Sequence, residues 1–143
     1  KQEKFKNIGL QDINKIIDFC NRLIKSGITV CFFGELGVGK TFLTQNLAKQ
    51  LGISENITSP TFTILNQYQL PNQITILNHF DLYRIKSIDE LYEIGYQDYI
   101  DNENYINFIE WSERLAGHLP KNKIEIHISY SIDFTMRDYL IYF

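Results

Sequence analysis

The sequence predicts an α/β fold with a central mixed sheet flanked by helices, and three features predict it. An apolar run, "ITVCFF", leads directly into a glycine-rich loop and then into a helical pattern. Segments rich in β-branched and aromatic residues recur in the middle of the chain and at its C-terminus, where they predict antiparallel strands. Stretches with helical spacing stand between them. A chain of 143 residues, 44% hydrophobic and 14% aromatic, holds one full core and is short of two, so residues 1–143 are read as a single domain.

The elements follow in order. Ile13, Ile16, Ile17, Cys20, Leu23 and Ile24 recur with helical spacing and end at Ser26-Gly27, which predicts a helix over about 11–25. "ITVCFF" reads as a fully buried strand, and "TFLTQNLAKQLG" as a second helix stopped by Gly52. "TFTILNQYQL" and "ITILNHFDLY", separated by the turn signal "PNQ", read as two hairpin strands. "SIDE" at 87–90 is a capping box that starts a short helix through Ile94, before Gly95 ends it. "YINFIEW" is an apolar strand ending in an acid, and "SERLAGHLP" forms one or two helical turns before Pro120. "KIEIHISY" alternates strictly and pairs with "RDYLIYF".

With 14 basic against 17 acidic residues the chain carries a formal charge of −3, which excludes a dedicated polyanion binder and leaves RNA contact to a local patch or a partner. Its two cysteines, Cys20 and Cys31, fall on apolar positions and lack metal spacing, a usage that suits a reducing cytoplasm. No run approaches the roughly 20 apolar residues of a membrane span, and the N-terminal "KQEKFKNIGL" lacks a leader's apolar segment. The expectation is a soluble, cytoplasmic protein.

The loop carries the chemistry. "GELGVGKT" reads G-x-x-x-x-G-K-[ST] from Gly34 to Thr41, in the strand–loop–helix context that the motif requires. Gly34, Gly37 and Gly39 let backbone N–H groups converge on a phosphate, and the N-terminus of the following helix adds its free amides. Lys40 reaches the terminal phosphates and the Thr41 hydroxyl ligates Mg²⁺. Mg²⁺ needs a carboxylate as well, typically at a strand end. Asp81 ends "ITILNHFD" and Glu110 ends "YINFIE". Glu110 is the favoured ligand, direct or through water, and Asp81 is either a second Mg²⁺ contact or the group that orients the attacking water. "SPTF" at 59–62 sets hydroxyls, Thr61 among them, where a segment could sense the γ-phosphate; the plain alternative is a strand-entry turn. Trp111, the one tryptophan, follows Glu110 and is read as near the nucleotide or as a packing anchor. His79, His118 and His127 are read as structural.

A loop of this form serves a switch GTPase, a kinase or an ATPase that drives another protein. Against the GTPase, the guanine-reading candidate "NKIE" at 122–125 precedes its strand instead of following it, and D-x-x-G is absent after "HFD". A small-molecule kinase needs a lid with arginines over the transferred group, and the four here, Arg22, Arg84, Arg114 and Arg137, are scattered singly, although Asp81 could act as its base.

The third reading gains from a resemblance. "GELGVGKT", "SPTF", "HFDLYR" and "IEW", in this order and spacing, are similar to the TsaE family, also called YjeE, the ATPase component of bacterial tRNA threonylcarbamoyladenosine biosynthesis. The resemblance runs from about Leu10 to Arg137. It implies one P-loop domain that binds ATP and Mg²⁺ and works with TsaD and TsaB, meeting tRNA only through them. It also implies that 37–41, Val38 included, bind phosphate, and Gly34 of the loop and the next helical residue, Phe42, are counted with them as binding the cofactor. Thr41 and Glu110 would hold Mg²⁺ with Asp81 beside them, and Asp81, Thr61 and Lys40 would act in hydrolysis. Trp111 and Arg137 would lie against the nucleotide. Ile13 and Glu35 stand where the family commonly has Thr and Asp.

Overall fold

The central strand β2 (Thr29–Phe33) is the apolar run of the sequence, and it is buried over four of its five residues because both faces of the sheet are covered there. The computed structural model describes residues 1–60 and 63–143. Its seven-stranded sheet has the order β1-β7-β6-β2-β5-β4-β3, where β1 is Gln2–Ile8, β3 Leu65–Gln69, β4 Ile76–Asp81, β5 Tyr105–Glu110, β6 Lys123–Tyr130 and β7 Arg137–Tyr142. Strands β6, β2, β5 and β4 run parallel, and the outer pairs β3–β4, β6–β7 and β7–β1 are antiparallel. The sheet is therefore mixed, with the expected antiparallel strands in the middle of the chain and at its end.

Alternation along each strand sends side chains to two cores. Val30, Phe32, Leu77, Ile106, Phe108, Ile124 and Ile126 pack with Ile16, Ile17, Leu43 and Leu47 of α1 (Ile13–Leu23) and α2 (Lys40–Gln50). On the opposite face Phe80 and Ile109 pack with Leu91 of α3 (Asp89–Glu93), Tyr96 of α4 (Tyr96–Asp101) and Leu115. Asn78 and Asn107, both fully buried, are register partners whose side chains share a 2.9 Å hydrogen bond. A slip of β4 against β5 would strand both amides, so the pair fixes the register that sets Asp81 beside Glu110.

Two elements lie outside the sequence expectations. β1 pairs with β7 although its residues are mostly exposed; it contributes inward the buried Ile8 and the half-buried Phe5, whose ring meets Phe19 edge-on at 5.4 Å, and flanking lysines suit an edge strand. α4 arises because Gly95, at φ +82°, breaks the chain without ending helical structure, after which Tyr96 turns its ring to Phe80. The Glu90 carboxylate accepts the Ser87 N–H as in a capping box, although the N-cap of α3 falls one residue later, at Ile88. Cys20 and Cys31 are buried and free. Among the described residues no helix is long and apolar enough to cross a membrane.

Candidate functional site

Phe32, Glu110 and Asp81 are register partners across β2, β5 and β4, so both acids reach the C-terminal edge of the parallel strands together. The glycine loop at 34–39 leaves β2 at the same edge and feeds α2, the place where an α/β sheet offers a ligand crevice. Glycine is required at two positions of the loop, by crowding at one and by backbone conformation at the other. Gly34 lies at φ +151°, and a Cβ there would stand 2.7 Å from both the Ile128 carbonyl oxygen and Val38 Cγ1. Gly39 at φ +118° is the N-cap of α2, so no side chain occupies the free amides of its first turn.

Lys40 is buried, at 4% exposure, and its ammonium turns back to donate to the Gly34 carbonyl and, at 3.0 Å, to that of Glu35. It also lies 3.8 Å from the centroid of the Trp111 ring. Burial lowers its pKa from the ordinary lysine value, against the opposing charges of Glu113, Glu110, Asp81 and Glu35. Trp111 sits at φ +60°, an uncommon conformation for a bulky residue. That turn swings the chain from β5 into the 3-10 turn Ser112–Leu115 and stands the indole 4.8 Å from Tyr83.

The Thr41 hydroxyl donates to Glu110 Oε1 at 2.7 Å and lies 3.3 Å from Ser59 Oγ. The other Glu110 oxygen, Oε2, is 2.6 Å from His79 Nε2. Asp81 accepts the Tyr83 N–H at 3.0 Å. Its carboxyl is pushed above the usual aspartate value by burial, with the charge of Glu110 acting the same way, and the Tyr83 N–H, His79 and Ser59 pull it back. Among the described residues no group of three or more His, Cys, Asp and Glu converges as a metal cage. The donor set is instead a hydroxyl and carboxylates, hard oxygens that fit Mg²⁺, an ion that keeps most of its shell for water and phosphate.

Two cavities flank the loop and share Gly39 and Phe42. One, of about 280 Å³, is lined by Lys40, Thr41, Ser59, Asp81, Glu110 and Trp111, and so gathers the polar groups. The other, of about 260 Å³, is bounded by Ile8, Leu10, Ile13, Val38, Phe134 and Arg137, and is largely apolar. Gly37 lines the first. Arg137 donates from Nε to the Val38 carbonyl at 2.8 Å and from Nη1 to Phe134 and Met136, with its guanidinium 4.2 Å from the Tyr130 ring centroid. It thus braces the loop from β7 while facing the apolar cavity.

The structure brings together Gly34, Gly37, Val38, Gly39, Lys40, Thr41, Phe42, Asp81, Glu110, Trp111 and Arg137 around one loop. Thr61, expected to act in hydrolysis, lies outside the described residues. Two participants escape the sequence reading. His79, assigned there to packing, is bonded to Glu110. Glu113 accepts the Gly34 N–H at 3.1 Å. For His79 the alternation of β4 carried the signal, since it shares a face with Asp81 two residues on. For Glu113, an acid in a polar turn, no local pattern marks the contact.

The family model described as "Threonylcarbamoyl adenosine biosynthesis protein TsaE" matches residues 9–137. Three relatives named "tRNA threonylcarbamoyladenosine biosynthesis protein TsaE" illustrate the similarity. That of Treponema pallidum is 40% identical over 75% of this chain and 76% of its own. That of Haemophilus influenzae is 38% identical over 76% and 67%. That of Bacillus subtilis is 30% identical over 90% and 78%. The crystal structure of YdiB from Bacillus subtilis superposes with a TM-score of 0.71 at 27% identity, covering 99% of this chain and 84% of that one. With the family model spanning all but the ends, and relatives at this identity over most of its length, the chain belongs to the TsaE family.

Proposed function

We propose that residues 1–143 act as one P-loop ATPase domain that binds and hydrolyses ATP with Mg²⁺ in support of tRNA threonylcarbamoyladenosine modification in the cytoplasm. Its working partners are the TsaD and TsaB proteins, and tRNA is reached through them. The relatives' shared name supports the pathway. The observation that carries the chemistry is the bond from Thr41 to Glu110 at the mouth of a glycine loop that opens a helix.

The roles follow from the positions. The loop amides and the first turn of α2 cradle the phosphates, where uncapped N–H groups and the helix dipole favour negative charge. Lys40 exchanges its loop carbonyls and the Trp111 face for the terminal phosphates. Thr41 keeps its proton on Glu110, which leaves its oxygen lone pairs for the metal. Bound Mg²⁺ supplies neutralisation of the charge that develops on the transferred phosphoryl group. Asp81, across the register from Glu110, orients the attacking water. The apolar cavity beside Val38, Phe42 and Arg137 takes the base, because the cavity on the other side is filled with the groups that serve the phosphates.

The test is capture of TsaD and TsaB by this chain with and without ATP, alongside calorimetry of ATP binding. Retention of both proteins that depends on ATP supports the reading. A chain that binds ATP yet captures neither, and phosphorylates a small molecule in a substrate screen, overturns it in favour of a kinase.

A further inference from the structure

We propose that His79 is a positioning residue for metal binding: through Nε2 it holds the Glu110 carboxylate with Oε1 turned to the Thr41 hydroxyl, and so sets the pair that meets the Mg²⁺ of a bound nucleotide. The inference rests on the proposed nucleotide site and assigns within it a role that the sequence gives to packing.

Glu110 is 1% exposed and His79 is fully buried, so each has given up water and must be repaid by its partner. The carboxylate has one bond on each oxygen, Thr41 on Oε1 at 2.7 Å and His79 on Oε2 at 2.6 Å. Neither oxygen can turn without losing one of them. The strand register shows what this requires. His79 is the partner of Phe108, and Glu110 stands opposite Asp81, so the histidine reaches Glu110 along a diagonal. An imidazole spans that gap, whereas asparagine at the same position is too short.

A histidine kept only for packing gains nothing from polar atoms that lack partners. Here Nδ1 is buried and has no hydrogen-bond partner among the described residues. The ring therefore carries one unsatisfied nitrogen and places the other against the acid beside the Thr41 hydroxyl. With Glu110 as carboxylate, Nε2 is the donor. A partner that orients a ligating group in this way changes metal affinity by about 10- to 100-fold in other sites.

The test measures ADP affinity by calorimetry with Mg²⁺ absent and across a Mg²⁺ titration, for the wild type, His79→Asn, His79→Gln, Glu110→Gln and the double variant His79→Asn/Glu110→Gln. Glutamine reaches as far as Nε2 and restores a donor; asparagine does not. His79→Asn is expected to raise the Mg²⁺ concentration for half-maximal tightening by about tenfold or more, while ADP affinity without metal stays at the wild-type value. His79→Gln should recover most of the loss. In the Glu110→Gln background His79→Asn should add little, because it acts through that carboxylate. An unchanged Mg²⁺ profile in His79→Asn, an equal loss of metal-free ADP affinity, or His79→Gln no better than His79→Asn overturns the proposal. Should His79→Asn fail to fold, the wild type decides: the ¹⁵N resonance of His79 Nε2 should shift when Mg²⁺ is added to the ADP complex, and a static resonance overturns the assignment. A wild type whose ADP binding ignores Mg²⁺ removes the nucleotide-site reading itself, an outcome separate from any result of the variants.

Discussion

Thr41 and Glu110, 69 residues apart in sequence, are joined by a 2.7 Å hydrogen bond that ties the first turn of α2 to the end of β5. The bond makes Glu110 a ground-state group, in place before any reaction, whereas Asp81 holds only the nearby Tyr83 N–H among the described backbone amides. Different variants should separate them. Glu110→Gln keeps an acceptor for Thr41 and loses the charge, so it should raise the Mg²⁺ requirement. Asp81→Asn should depress turnover more than nucleotide affinity, since a group that orients water acts chiefly in the transition state. Titration of Mg²⁺ against ATPase rate distinguishes the two, and identical profiles would show that they share one role.

Lys40 and Trp111 provide an optical readout of the same site. The ammonium lies over the indole, and this is the only tryptophan in the chain, so departure of Lys40 toward a phosphate should change the emission. A saturable change on adding ADP or ATP is expected, and Lys40→Ala should abolish it. The same substitution should lower the hydrolysis rate by about 10²–10³ without unfolding the domain, the usual cost of removing one preorganised donor from a transition state. Circular dichroism checks folding, and wild-type turnover in a folded Lys40→Ala protein would contradict the loop's role.

The cysteines make a prediction about pH. Burial pushes both thiols from 9.0 up to about 12, because a thiolate in an apolar core loses its hydration. The sign follows: a group raised by folding supports stability fully below its unfolded pKa and withdraws that support as pH rises toward the folded value. Stability should therefore fall as pH climbs above about 9, less steeply in Cys20→Ala/Cys31→Ala after allowance for the lost packing. At about pH 9, where a free thiol is half ionised, iodoacetamide should leave both unmodified in the folded protein and label both in denaturant. Rapid labelling of the folded chain would contradict the burial of α1 and β2.

The parts of this fold that local pattern can announce were legible. "ITVCFF", "YINFIE" and "KIEIHISY" became strands β2, β5 and β6, because apolar runs and strict alternation demand burial whatever the topology. The position of the glycine loop between β2 and α2, and of Asp81 and Glu110 at the ends of β4 and β5, was equally legible, since an apolar run that closes on glycines or on an acid marks a strand end. β1 was not, because an edge strand with one inward aromatic carries too little hydrophobic pattern and owes its existence to β7. His79 and Glu113 were hidden for a related reason. Their partners, Glu110 and Gly34, are 31 and 79 residues away, and only the register of β4 on β5 and the turn at Trp111 bring them into reach.

Arg137 bears on the rate at which the isolated chain turns over. Phosphoryl transfer to water needs positive charge around the γ-phosphate, and an arginine supplied by a partner accelerates it by about 10³–10⁵ in related loops. Arg137 touches the glycine loop, and its Nε and Nη1 are held by the Val38, Phe134 and Met136 carbonyls. From there it braces the loop on the side of the apolar cavity, away from Asp81 and Glu110. With Arg137 committed to that side of the loop, the expected outcome is slow ATP hydrolysis by the isolated protein and a higher rate on assembly with TsaD and TsaB. Single-turnover hydrolysis of the chain alone and in the assembled complex makes the comparison, since it excludes product release. A rate in isolation equal to that of the complex would mean that the site is already complete within this chain and that the partners serve another step.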